Sequence, residues 1–529
     1  MSITAIGSIG QVCEASVNPQ RVEEKIYFDG HPRLGMVIYT NKEKNTRKTA
    51  GIYGLKFQGK TYKVQVDNQG VITTFDGQCS VSALPKRYIA YQYVNTWDVN
   101  NNIALLKEQA DEMIAAGANC IHLTIVFDYI FTSYTELQGN QQASWAKYDE
   151  WFQHIASKNV SVALRICLGM DDDHLENFWG SENASRDPWG YVYTPFYGNN
   201  IPCLSSSVGR NIIIEFFTKV CERYMPLFGN NLIFIQPTTQ SSQEFGGEFR
   251  NRQYPNPEYP SFGDYNDKNI VGFREYCRNL YNNDIQLLKN AWGNISFGWS
   301  GFNEIVPPYP NNTNRFETTW SGLRLMLSGK RGIDWYIFHQ KNYEKLFIDL
   351  SNIVKSINPN VEMSVLFGTC CHEISLSYLS YNVSAWCRIA DNIQTLYSTR
   401  DSADNFDDMS VDWVSSLATK PIYTEIADFD AFTIQAGINY SQRALENGAK
   451  FLAIVSDKNN IDRWNDFKGL VKNLANEYIN KSISLPTFEG SINALFTEAI
   501  QNWPAIKERW IAAGGSNSKR IQIIFNENA

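Results

Sequence analysis

The feature that most constrains this chain is a rhythm that begins after Pro85: an apolar run, a polar connection and an amphipathic helix, repeated until eight apolar runs have passed. The runs are RYIAYQYVN (87–95), CIHLTIVF (120–127), VSVALRICLG (160–169), NNLIFIQPTTQ (230–240), VEMSVLFGTC (361–370), NIQTLYS (392–398), PIYTEI (421–426) and KFLAIVS (450–456). Between them lie stretches such as NNIALLKEQADEMIAAG, whose apolar residues recur at three and four. Strands this apolar are buried on both faces, as parallel strands covered by helices are. Eight of them predict an α/β protein built on a closed (β/α)8 TIM barrel. No G-x-G-x-x-G or P-loop follows any run, which leaves nucleotide-binding sheets without support.

The flanking segments read differently. From Lys25 to Leu84 short strand-like runs are punctuated by Gly, Asn and Asp, and Asp67-Asn68-Gln69-Gly70 supplies a hairpin turn after the alternating Thr61 to Val66. The expected organisation is therefore an N-terminal antiparallel β unit (1–84), the barrel (85–484) and an appended C-terminal helix and strand (485–529).

Composition narrows the partners. A formal net charge of −8 and the lack of a basic stripe argue against nucleic acid. No run of 18 apolar residues occurs, so no membrane-spanning helix is expected, and the first residues lack the n-region and h-region of an export signal. Location stays open between the cytoplasm and, if a leader has been removed, the periplasm or the exterior. The ten Cys form no C-x-x-C pair and several lie inside apolar runs, which reads as buried thiols. Cys370 and Cys371 are successive strand residues and point to opposite faces. The six His form neither H-x-H nor H-E-x-x-H, and the acidic run Asp171 to Asp173 lacks the Gly turn and distal Glu of a calcium loop. Neither a metal nor another cofactor is expected.

In a barrel of this kind the reactive groups sit at the C-terminal strand ends. Those ends carry Trp97 after strand 1, Asp128 after strand 2, Arg165 near the end of strand 3, and Gln243 and Glu244 after strand 4. His372 and Glu373 follow strand 5, Tyr397 ends strand 6, and Glu425 and Asp428 mark strand 7. Carboxylates and aromatics dominate. Splitting a glycosidic bond needs one carboxyl group to protonate the leaving oxygen and a second to attack, or to activate water, from the other side. Glu244 and Glu425 would face each other across the barrel mouth as acid/base and nucleophile, with Glu248 a rival for the first and Glu373 a weaker one. Arg165 is expected to make a charge-assisted contact to the nucleophile or to pair with a neighbouring Asp. Tyr397 either hydrogen-bonds Glu425 or is a buried Tyr with its hydroxyl satisfied. His372 is a sugar contact or a core histidine. Gln243, Asp128 and Trp97 complete the expected substrate-binding set.

A resemblance supports this reading. Gln243-Glu244-Phe245-Gly246 resembles the Asn-Glu-Tyr-Gly of clan A glycoside hydrolases, especially the family 42 β-galactosidases, in which that Glu is the acid/base. FREYCRNLYNNDIQLLKNAWG (273–293) and FGWSGFNEIVPPYP (297–310) resemble the same enzymes in their Phe-Arg, Tyr, Ala-Trp-Gly and Pro-Pro positions. KPIYTEI is similar to the nucleophile strand of the clan. The resemblance implies a retaining glycosidase acting on an oligo- or polysaccharide by double displacement, β-galactosidase-like or β-glucanase-like, and it is compatible with a homo-oligomer. Two departures stand against a full match: Gln243 replaces the clan's Asn, and Ser456-Asp457-Lys458 stands where a strand-8 Trp is common. They motivate the alternative of a non-catalytic carbohydrate-binding barrel.

Overall fold

A computed structural model describes residues 2–6, 24–25, 51–57, 60–69, 71–79, 87–93, 102–139, 142–171, 178–188, 190, 192, 199–239, 245, 264–293, 298–308, 329–367, 389–397, 422–427, 434–446, 449–456, 458 and 461–481. It divides into two compact units, Met1–Lys86 and Arg87–Ala529. The 485–529 segment lies outside the described residues.

The first unit is an antiparallel sheet of β1 (Ser2–Ile6), β2 (Glu24–Lys25), β3 (Gly51–Phe57), β4 (Lys60–Val66) and β5 (Ile72–Cys79), in the order β2-β1-β3-β4-β5. The β4–β5 turn is set by Asp67, whose carboxylate accepts from the backbone N–H of Gln69 at 2.8 Å and of Val71 at 2.9 Å. A short acidic side chain that folds back on its own backbone is why such residues favour turns.

The second unit is the barrel. Its strands are β6 (Tyr88–Tyr93), β7 (Cys120–Val126), β8 (Ser161–Cys167), β11 (Leu232–Thr238), β12 (Glu362–Phe367), β13 (Asn392–Tyr397), β14 (Ile422–Ala427) and β15 (Phe451–Ser456). All pair in parallel, and β15 returns to β6 from Phe451↔Tyr88 to Ser456↔Tyr93, so the sheet closes. The eight apolar runs of the sequence are these eight strands. A two-stranded ribbon of β9 (Met170–Asp171) and β10 (Asn199–Asn200) follows β8.

Around the barrel run α1 (Ile103–Ala116), the short α2 (Tyr134–Gly139), α3 (Gln142–Ala156), α4 (Ser207–Phe228), α7 (Gly329–Ile357), α8 (Ile434–Glu446) and α9 (Ile461–Tyr478), with α5 (Asp267–Leu280) and α6 (Ile285–Ala291) inserted after β11. Helix starts follow capping chemistry: Asn102 accepts from the Leu105 N–H, and Ser206 accepts from that of Gly209. Gly117 ends α1 with φ +117°, and a Cβ there would stand 2.9 Å from that of Ala475, so both conformation and space require glycine.

Among the described residues three apolar clusters hold the unit together. The largest lies between strands and helices and includes Trp145, Phe152, Phe216, Leu350 and Trp464. The second fills the lower barrel with Ala90, Cys120, Ala163, Phe234, Tyr423, Phe451 and Ala453. Phe234, Tyr423 and Phe451 meet there at ring separations of 5.0–5.3 Å. A barrel interior is thus a packed core and no pore. The third cluster belongs to the insertion, where Phe273, Tyr281, Trp292 and Trp335 pack together. At about 1.5–3 kcal/mol for each large apolar side chain fully buried, this satellite core is a substantial structural element.

Candidate functional site

The site begins with strand parity. Side chains alternate along a strand, so a residue two positions from a packed interior residue also points inward. Tyr423 packs among the interior rings; Glu425 therefore points into the barrel one layer nearer the C-terminal strand ends. By the same rule Ala163 puts Arg165 inside, and Phe234 puts Gln236 inside. Their registers agree, since Arg165 pairs with Thr124 on one side and Gln236 on the other.

These residues form one hydrogen-bonded chain. The Arg165 guanidinium donates from NH2 to Glu425 Oε2 at 2.6 Å and from Nε to Gln236 Oε1 at 2.7 Å. Gln236 in turn donates from Nε2 to Ser364 Oγ at 3.0 Å. Four strands, β8, β11, β12 and β14, are tied together by it. Arg165 is 1% exposed and Glu425 4%, while Gln236 and Ser364 are fully buried. A buried ion pair is poor value as a stability device, because desolvating both charges cancels most of their attraction and an apolar pair of similar volume often does as well.

Beneath this chain one polar ring stands among the apolar residues of the lower barrel. His122 of β7 lies edge-on between Phe234 (5.5 Å) and Phe451 (5.6 Å), and neither ring nitrogen has a hydrogen-bond partner among the described residues. Burial, and then the positive charge of Arg165, push its pKa well below the ordinary value, so the imidazole is uncharged. Gln92 Oε1 on β6 and Thr124 Oγ1 on β7, the latter level with Arg165, are also buried without partners among the described residues.

Of the eight expected site residues, Arg165 and Glu425 meet directly. Asp128 lies in a single 3-10 turn, Phe127–Tyr129, directly after β7. Tyr397 ends β13, where the register sets Leu396 beside Glu425 and Tyr397 beside Ile426. Trp97, Gln243, Glu244 and His372 lie outside the described residues, as do Glu248, Glu373, Asp428 and the Cys370-Cys371 pair. Phe245, next in sequence to Glu244, is buried: its N–H donates to Leu366 O of β12 at 3.3 Å, and its ring packs on Tyr343 and Phe347 of α7. Among the described residues no three His, Cys, Asp or Glu side chains gather as metal ligands.

Gln236 and Ser364 were missed from sequence. The only signal was a lone polar residue inside an apolar strand, LIFIQPT and EMSVLF, at the parity of the interior. The 273–310 motifs, by contrast, prove architectural. Phe273 and Trp292 are core residues; Tyr281 and Trp292 donate to the buried carboxylate of Asp334 at 2.5 and 2.7 Å; Arg274 caps Ile305 O at 2.8 Å. Asn282 and Asn283 take positive φ (53° and 59°) in the tight α5–α6 turn, a conformation Asn tolerates better than most residues.

No family model matches the chain, and no curated protein matches it in sequence. Solved structures do. The catalytic domain of a β-amylase from Paenibacillus polymyxa superposes with a TM-score of 0.55 at 14% identity, covering 74% of this chain and all of that one. A catalytic mutant of Gan42B, a GH42 β-galactosidase from G. stearothermophilus, gives 0.56 at 13% identity, over 77% of this chain and 59% of that one. A cold-adapted β-galactosidase from Rahnella sp. R3 gives 0.54 at 14%, over 76% and 58%. The chain thus spans somewhat more than half the length of these β-galactosidases. The shared feature is the (β/α)8 fold found in these glycosidases.

Proposed function

We propose that the chain is a retaining glycoside hydrolase in which Glu425 is the nucleophile and Glu244 the acid/base, acting on an oligo- or polysaccharide. The observation that carries this reading is the buried contact between Arg165 and Glu425, on the third and seventh barrel strands. A carboxylate that must attack a sugar carbon has to be presented in one orientation, and a guanidinium clamped on Oε2 supplies it. The (β/α)8 fold shared with β-galactosidases and a β-amylase supports the substrate class.

In the proposed cycle, Glu425 attacks the anomeric carbon as Glu244 protonates the departing glycosidic oxygen. A glycosyl ester forms on Glu425. Glu244 then removes a proton from water, which attacks the same carbon, releases the sugar with retained configuration and restores both carboxyl groups. For this route the two carboxyl groups should stand roughly 5–5.5 Å apart, against roughly 6.5–9.5 Å for inversion.

The test is a panel of chromogenic glycosides and polysaccharides assayed with wild type beside Glu425→Ala. Hydrolysis by wild type that the variant loses supports the proposal. Hydrolysis that the variant retains overturns Glu425 as nucleophile. Saturable sugar binding without any hydrolysis points to a carbohydrate-binding barrel.

A further inference from the structure

We infer that Gln236 and Ser364 are positioning residues for the nucleophile, acting through Arg165; the inference rests on the proposed role of Glu425. The guanidinium presents its donors in a rigid planar fork. Fixing two of its edges fixes the plane. Glu425 takes one edge through NH2 and Gln236 takes another through Nε. Gln236 is itself an ambiguous partner, because its amide can rotate to offer either oxygen or nitrogen. Arg165 Nε–H can only donate and so selects the amide oxygen, which leaves the amide nitrogen facing β12, where Ser364 Oγ accepts from Gln236 Nε2 at 3.0 Å and anchors the amide. With the amide turned round, an N–H would face the Nε–H of Arg165 and repel it. The chain Ser364, Gln236, Arg165, Glu425 therefore transmits orientation from β12 to the carboxylate on β14. None of these four residues is more than 4% exposed, so water does not compete for the contacts.

Two measurements separate this inference from the function on which it rests. The first needs no activity. In a crystal structure of Gln236→Met, which keeps the length of the side chain and removes the hydrogen bonds to Arg165 and Ser364, we expect the guanidinium plane to turn and the Nη2 to Glu425 Oε2 contact to open beyond hydrogen-bond reach. A contact retained at its present length in that variant overturns the inference, whatever the enzyme hydrolyses.

The second compares Ser364→Thr with Ser364→Val, which differ only in hydroxyl against methyl. On a substrate that wild type hydrolyses, we expect the Val variant to lose about tenfold or more in kcat with KM little changed, and the Thr variant to recover most of it. Combining Ser364→Val with Gln236→Met should cost no more than Gln236→Met alone, since the Ser acts only through the Gln. Equal kcat in the Thr and Val variants, or additive losses in the double variant, would reduce both residues to packing. If neither Ser364 variant folds, Ser364→Ala beside Gln236→Met gives the same cycle. Should wild type hydrolyse no glycoside, the proposed function fails and the crystallographic arm still decides the positioning.

Discussion

Arg165 and Glu425 lie 260 positions apart in sequence and 2.6 Å apart inside the barrel. The proposed mechanism rests on this pair, which makes it the first target for substitution. Arg165→Met would take the guanidinium away from a carboxylate in the buried interior, at a cost of roughly 3–5 kcal/mol. Arg165→Lys keeps the charge but offers one nitrogen where the fork uses two, so it cannot serve Gln236 and Glu425 with the same geometry. We expect the Lys variant to fold and to lose about a hundredfold in kcat, and the Met variant to lose most of its stability. Urea titration beside steady-state kinetics checks both, and a Lys variant with wild-type kcat would show that the fork is dispensable.

Acid should weaken the fold through His122. Its folded pKa lies well below the ordinary 6.5, so the uncharged ring is the form the native state accepts. Stability from this group is complete above about pH 6.5 and is lost as pH falls toward the folded value, because the unfolded chain binds the proton first. His122→Leu removes both unpartnered nitrogens. We expect a higher urea midpoint at pH 8 and a shallower loss between pH 7 and 5. An unchanged slope would place the acid sensitivity elsewhere.

Asp264 has the opposite sign. Burial raises its carboxyl to about 6, partly offset by the Cys203 thiol and by the backbone N–H groups of Arg186 and Asn266, each 2.9 Å away. The folded state therefore favours the protonated form. Relative stability is greatest below the ordinary 3.8, declines as pH rises through about 6, and is then constant, a difference of about 3 kcal/mol. Asp264→Asn keeps an oxygen for both N–H donors and removes the charge. Its melting temperature should exceed that of wild type at pH 7.5 and match it near pH 3.5. A variant less stable than wild type at pH 7.5 would contradict this.

Gly209 begins α4 where Pro202 crosses it, and an added Cβ would sit 2.2 Å from the Pro202 Cβ. Alanine is the better helix former by about 1 kcal/mol, yet the clash should dominate. We expect Gly209→Ala to be destabilised by about 1–3 kcal/mol, as overpacked sites are. A melting temperature at or above that of wild type would mean the Pro202 turn simply moves aside.

How much of this was legible in the sequence follows from what leaves a periodic trace. Eight apolar runs are long, similar and separated by helical segments, and they became β6–β8 and β11–β15 of the closed barrel. Glu425 and Arg165 were legible because a charge at the end of a strand in a barrel is conspicuous. Their mutual contact was one of two alternatives for Arg165, since a neighbouring Asp served equally well as a partner on paper. Gln236 and Ser364 leave no such trace: one polar residue in an apolar strand is the pattern of tolerance as much as of function, and only the closed geometry brings the two together. The 273–310 resemblance was read as a sign of glycosidase chemistry. Within it Phe273, Tyr281 and Trp292 build a satellite core, whose packing constrains the sequence.

The most direct measurement of the central claim is mass mapping after incubation with an activated 2-deoxy-2-fluoro glycoside, which forms the glycosyl ester quickly and hydrolyses it slowly. We expect one sugar per chain, carried on the peptide that contains KPIYTEI, with fragmentation placing it on Glu425 and no labelling of the Glu425→Ala variant. Stoichiometric labelling of a different carboxylate would contradict the assignment of Glu425 as nucleophile, as would turnover of the parent glycoside with no ester formed on the wild type.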